Sequence, residues 1–160
     1  MNILGLNAFH GDSAAVLVID GRIISAAEEE RFRRTKHWAG FPTEAISWCL
    51  EANNLTLADI DIIAINQDSR ANLVRRLWYT LTSRPSPKLI IEKLRTREKR
   101  SSILDHFDQA FSGPEVRSEL VSVEHHHAHL ASAYYPSGFD DAWAISIDGF
   151  GDFASGAWGY

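Results

Sequence analysis

With a single cysteine, Cys49, among 160 residues, the chain has no thiol pair to oxidise and no disulfide framework. A long apolar run is missing as well. The most apolar stretch, residues 16–24, is cut by Asp20, Gly21 and Arg22, far short of the roughly 20 residues that span a bilayer. The opening MNILGLNAFHGD lacks the basic, apolar and small-residue order of a secretory signal, so a reducing cytoplasm is the expected setting. Positive charge is scarce too: 16 lysines and arginines face 21 aspartates and glutamates, for a net charge of −5. That balance argues against a generally basic nucleic-acid or membrane binder and leaves room only for a local patch. What remains, 45% hydrophobic and 23% charged residues, suits the core of one domain, whole or cut from a larger protein.

Residues 2–8, 13–19 and 22–27 are rich in β-branched side chains and read as three strands. Asp20-Gly21 between the last two supplies the positive φ angles of a type I′ hairpin. The link 9–12 carries a histidine, a glycine and an aspartate at a hairpin tip, a candidate site loop. After the charged run 28–36, residues 40–43 read as a loop ending in a helix cap at Thr43. Ile46, Cys49, Leu50 and Asn53 then recur at helical spacing, and 57–65 reads as a short lead-in and a buried strand. Strand, helix and strand predict a parallel crossover, hence an α/β fold. Leu73, Val74, Leu77, Trp78 and Leu81 form a helical stripe broken at Pro85 and Pro87. Leu89, Ile90, Ile91 and Leu94, then Ile103, Leu104, Phe107 and Phe111, read as one interrupted helix or two short ones ending at Gly113-Pro114. Residues 120–123 read as a strand, and 125–135 as an alanine-rich helix suited to close packing on a sheet and stopped by Pro136 and Gly138. The last segment, 145–160, repeats 4–19 in kind: strand, polar glycine-containing loop, strand. Two hairpin-led α/β units are therefore expected, their loops closing on a ligand from two sides. Because the second is barely begun at Tyr160, truncation is expected, or a partner that completes the sheet.

The densest chemistry lies in Glu124-His125-His126-His127-Ala128-His129, which holds four of the seven histidines. On a helix, His125 and His129 share a face with Cβ atoms about 5–6 Å apart, a spacing that suits two ligands of one transition metal. The alternative is a polar helix start with capping or solvated imidazoles. Asp148, near the end of a strand over 143–147, is the candidate oxygen ligand or else an ordinary Asp-Gly turn residue, and Asp152 lies further along that loop. Gly149, Gly151 and Ala154 match a dinucleotide fingerprint, but the strand expected after them removes that reading, leaving amides that could approach a phosphate or carbonyl. His10, with Asp12 and Ser13 beside it, is a candidate proton acceptor or a plain turn histidine. The run 28–37 is a solvated face or an anion clamp built from Arg31, Arg34 and Lys36. Ten basic residues against two acidic ones over 70–100, interleaved with Trp78 and Tyr79, invite an RNA-binding reading. The apolar stripes account for those aromatics as core instead, so nucleic acid is not the preferred partner.

GLNAFHGDSAA (5–15), EEERFRRTKHWAGFP (28–42), EHHHAHLASAYYPSGF (124–139) and SIDGFGD (146–152) together resemble the nodulation and antibiotic O-carbamoyltransferase family. The four motifs stand in the family's order, with no recognised motif over 70–113. The resemblance implies an actin/Hsp70-like (ribonuclease H-like) mixed sheet with flanking helices, related to the tRNA threonylcarbamoyladenosine transferase subunit. Residues 1–141 would be its first lobe, with a basic helical insertion near 70–113, and 142–160 the start of a truncated second lobe. The implied reaction moves a carbamoyl group from carbamoyl phosphate, through an ATP-derived carbamoyladenylate, to a hydroxyl of a sugar or natural product. The implied metal is iron(II), held by His125, His129 and Asp148. His10 is implied to help deprotonate the acceptor, and Lys36 and His37 match a basic motif. Read from the residues themselves, Asp12 and Arg34 are expected to join them in binding substrate, and Gly149 and Gly151 to form a phosphate or nucleotide loop. Family members are several times longer and carry a further metal aspartate and an adenylate-forming carboxy-terminal domain, so a missing region or partner chain is expected to complete the site. The rivals are a sugar-kinase-like or Hsp70-like ATP-binding domain with structural histidines, and a non-enzymatic RNA- or partner-binding module.

Overall fold

A computed structural model describes residues 1–68, 71, 72, 74, 78, 82, 103–111, 116–152 and 154–160, with Phe150 and Gly151 by backbone alone. The chain forms two compact units, 1–65 with 90–121, and 66–89 with 122–160.

In the first unit, β1 (Asn2–Asn7), β2 (Ala14–Ile19), β3 (Arg22–Glu28), β4 (Ile62–Ile65) and β5 (Glu119–Ser122) make one sheet in the order β3-β2-β1-β4-β5. The meander comes first because Asp20 (φ 49°) and Gly21 (φ 79°) both take the left-handed angles that a type I′ turn demands. β1 is antiparallel to β2 and parallel to β4, and the helix between β1 and β4 is the crossover expected from the sequence. The first unit is thus a mixed α/β sheet with flanking helices, the fold class expected from the sequence.

Period-two alternation sends Leu4 and Leu6 of β1, Ala15 and Leu17 of β2, and Ile63 and Ile65 of β4 into one core. Onto it pack Ala45, Ile46, Cys49 and Leu50 of α2 (Thr43–Glu51), and Ile103 and Phe107 of α3 (Ile103–Ala110). Each fully buried Leu or Ile contributes about 1.5–3 kcal/mol. A single turn of helix, α1 (Glu30–Arg33), follows β3. The cap expected at Thr43 is not there: Thr43 is already helical and Pro42 precedes it without a side-chain cap. Instead the wholly buried Glu29 carboxylate accepts from the amides of Ala45 (2.8 Å) and Glu44 (3.2 Å), and from Arg33 Nε at 2.6 Å. A distant anion thus satisfies the helix start and is itself neutralised.

In the second unit, α4 (His125–Tyr134) packs on a hairpin of β6 (Ala144–Gly151) and β7 (Ala154–Gly159). The expected polar, glycine-containing loop is shorter than the sequence suggests, and its glycines lie in the strand. β6 runs on past 147 through a register irregularity to Gly151, and only residues 152 and 153 separate it from β7. The ladder pairs Ile147 with Gly156 and resumes at Gly151 with Ala154, so Asp148-Gly149 lies in an irregular, bulged part of β6 rather than at the hairpin turn. Gly156 is glycine for lack of space, since a Cβ there would stand 2.9 Å from the Ser146 carbonyl oxygen. Among the described residues of α4, the one fully buried side chain is His126 rather than an alanine; Ala133 is exposed. The helix ends in a 3₁₀ turn, Tyr135–Ser137, and Gly138 at φ 76°.

Val74 and Trp78, the two described residues of the stripe over 73–81, are 82% and 70% exposed, so Trp78 is not the core residue expected. The rest of that stripe, the segment 89–94, Gly113-Pro114 and every basic residue of the 70–100 run lie outside the described residues. Among the described residues, no helix is long and apolar enough to cross a membrane.

Candidate functional site

The second unit brings the predicted metal residues together. α4 starts at His125 because Glu124 caps it, its carboxylate accepting from the His127 amide at 2.8 Å. The i, i+4 spacing then sets His125 and His129 side by side, ring centroids 4.6 Å apart and planes at 86°. β6 alternates Ser146 and Asp148 onto its helix-facing side. Asp148 Oδ2 lies 2.7 Å from His125 Nε2 and 3.3 Å from His129 Nε2, and the two nitrogens are 3.2 Å apart. Asp148 is therefore a strand residue facing two imidazoles, not a turn residue. The hydrogen bond from His125, followed by that from the Gly149 amide at 2.5 Å, lowers the Asp148 carboxyl to about 2. An ionised carboxylate and two imidazoles could together hold a divalent transition metal. Their spacing fits one: ligands at about 2.0–2.2 Å around a common ion stand about 3 Å from one another, as these three atoms do.

Two ties hold the trio in place. The Asp152 carboxylate, on the hairpin turn at φ 44°, accepts from the main-chain N–H of His125 (2.9 Å) and of Asp68 (2.8 Å), and the Asp152 carbonyl accepts from Asn72 Nδ2 (2.9 Å). His126, fully buried, places Nδ1 2.9 Å from Ser146 Oγ. Gly149 and Gly151 lie in β6, where the Gly149 N–H is turned onto Asp148.

The remaining predicted residues belong to the first unit. The loop after β1 is strained: Phe9 (φ 63°) and Asp12 (φ 61°) are both left-handed, at a cost of about 1–2 kcal/mol each. It is held by Phe9 N–H on the Gly40 carbonyl (3.1 Å), Ser13 N–H on the Trp38 carbonyl (2.9 Å), and the buried Ser13 hydroxyl between the carbonyls of Gly40 (2.8 Å) and His10 (3.1 Å). Ser13 thus ties backbone and is no partner of an imidazole. His10 is half-buried, with Nε2 turned away from solvent. Asp12 instead meets His37, Oδ1 to Nδ1 at 2.9 Å, with the two side chains 53% and 79% exposed. Arg34, at φ 58°, and Lys36 are exposed and make no ion pair among the described residues. Arg31 is turned onto Glu28 at 3.2 Å, and so is already partnered rather than waiting for an anion. Arg33, unremarked in the sequence, pairs with Glu29 and sets its guanidinium carbon 4.6 Å from the Trp38 ring centroid.

The family model "Carbamoyltransferase N-terminus" matches residues 2–158. The nodulation protein NolNO of Sinorhizobium fredii is 38% identical over 156 residues, covering 94% of this chain and 21% of its own length. The uncharacterized protein sll1178 of Synechocystis sp. is 34% identical over 163 residues, 96% of this chain and 26% of its own. The chain thus spans about a quarter of the length of each of these two relatives. Among solved structures, YeaZ from Pseudomonas aeruginosa aligns over 92% of this chain and 55% of its own at a TM-score of 0.46 and 14% identity. On the match across residues 2–158, the chain belongs to the carbamoyltransferase family, in its amino-terminal domain.

Proposed function

We propose that this chain supplies the metal-binding and proton-accepting residues of an O-carbamoyltransferase. The observation that carries the reading is the convergence of His125 Nε2, His129 Nε2 and Asp148 Oδ2 on one point. Bound there, a divalent metal, iron(II) in our reading and kept reduced in a cytoplasmic setting, would polarise a phosphate or carbamoyl oxygen of the donor. In this reading the donor is carbamoyladenylate, formed from carbamoyl phosphate and ATP. The acceptor hydroxyl, on a sugar or natural product, gives up its proton to an imidazole. Its oxygen bonds to the carbamoyl carbon, and the carbon–oxygen bond to the phosphate breaks, so that AMP departs with the electron pair. Arg34 and Lys36, exposed and outside any described ion pair, supply cations for the donor's anionic oxygens. A kinase-like or Hsp70-like ATP site would leave the two imidazoles and the carboxylate without a use.

The resemblance points to His10 as the proton acceptor. One observation favours His37 instead: Asp12 holds its Nδ1, which directs Nε2 outward as an acceptor on a largely exposed ring, whereas Nε2 of His10 is buried. The deciding experiment is metal analysis of untagged protein. We expect close to one equivalent of iron, manganese or zinc, lost in His125→Ala and His129→Ala. A wild-type protein with no such metal, unaltered by these substitutions, contradicts the reading.

A further inference from the structure

His125 is gripped at two points by two carboxylates from one hairpin. Asp148 reaches its ring nitrogen at 2.7 Å, and Asp152 reaches its main-chain N–H at 2.9 Å. The second bond matters because the first residue of α4 has no intrahelical partner for its N–H. It also places an anion at the positive end of the helix. Asp152 makes two further ties, to the Asp68 N–H and the Asn72 side chain, so it joins three segments at the point where the ligand set begins. One residue further along α4, the buried His126 bonds Ser146. Ser146 is two residues before Asp148 and so on the same side of β6. These contacts index the helix against the strand at positions flanking Asp148, and neither Asp152 nor Ser146 joins the His125, His129 and Asp148 set.

We propose that Asp152, seconded by Ser146, is a positioning residue that presets His125 and His129 against Asp148 before any metal arrives. The inference rests on the metal reading above. A left-handed turn alone does not account for Asp152: glycine or asparagine also takes φ 44° at little cost, but glycine offers no acceptor to the His125 amide.

The test is cobalt(II) chloride titration of the purified untagged protein, followed by its visible absorption bands, beside the melting temperature and far-ultraviolet circular dichroism of the metal-free form. Asp152→Gly is expected to weaken cobalt binding about 10–100-fold, the range for lost outer-sphere support, and to shift the bands, with circular dichroism unchanged. Asp152→Asn, which keeps an oxygen acceptor, is expected to restore most of the affinity. Asp152→Gly binding as tightly as wild type with identical bands overturns the proposal. Should Asp152→Gly not fold, Ser146→Ala decides in its place. Weaker binding rescued by Ser146→Thr supports the proposal, and unchanged binding overturns it. A wild-type protein that takes up no cobalt removes the metal reading itself and this inference with it, an outcome distinct from wild-type binding that Asp152→Gly leaves intact.

Discussion

Two aspartate–histidine pairs of nearly equal length are built differently. Asp12 and His37 meet at 2.9 Å between two loops, both residues left-handed and largely exposed. Asp148 and His125 meet at 2.7 Å between a strand and a helix, with His129 as a third party and the His125 side chain only 13% exposed. In the first pair the carboxylate orients one imidazole and leaves its other nitrogen to a ligand or a proton. In the second, two nitrogens and an oxygen are aimed at a common point, an arrangement that serves an ion better than a proton. Distance alone does not separate a base from a ligand set. The elements that hold the pair do.

The comparison breaks most sharply on metal binding. Asp148→Asn and His129→Ala are each expected to reduce metal affinity more than 100-fold by order of magnitude, since they remove ligands outright, whereas His37→Gln should leave it unaltered; competition titration against a chelator measures all three. Should His37→Gln release the metal, the two pairs are not separate in role.

The same contrast of held against exposed applies to the acids around α1. Glu29 is buried and bonded to a partly exposed Arg33, while Glu28 pairs with Arg31 in solvent. Arg33→Met, which leaves the buried carboxylate with its two amide donors but no cation, is expected to lose about 1–3 kcal/mol in urea denaturation, and Arg31→Met less than about 1 kcal/mol. Equal losses would mean that Glu29 is not the anchor of α2.

Acid sharpens the second pair. Because the folded state holds the Asp148 carboxyl at about 2, below an unfolded value of about 3.9, its stabilising contribution is present above the unfolded value. That contribution is lost as pH falls through the folded one. The melting temperature of the metal-free protein should therefore fall between about pH 4 and pH 2 by less in Asp148→Asn than in wild type. Metal loss at milder acidity is not a titration of Asp148. The smallest expected effect is at Thr43, where alanine should change stability by less than about 0.5 kcal/mol; a true cap would cost about 1 kcal/mol.

How much of this was legible depends on how far apart the interacting residues stand. The first hairpin was readable because Asp20-Gly21 acts locally, and the His125/His129 pair because helical spacing is local. Asp148 could be named as a candidate but not separated from a turn residue, since only the resumed pairing of Gly151 with Ala154 shows that β6 continues past it. Glu29 was hidden as one of three successive glutamates, distinguished only by amides 15 and 16 positions away. The Asp12–His37 pair spans 25 positions and the Asp152–His125 bond 27, and no local pattern marks either. Local chemistry named the residue types of the candidate site, while tertiary contacts chose the partners.

Anomalous diffraction from crystals grown with iron(II) or manganese(II) tests the central claim most directly. The account predicts a single strong peak about 2.0–2.2 Å from His125 Nε2, His129 Nε2 and an oxygen of Asp148. A peak elsewhere, or a metal-loaded crystal in which those three atoms are still bonded only to one another, would contradict it.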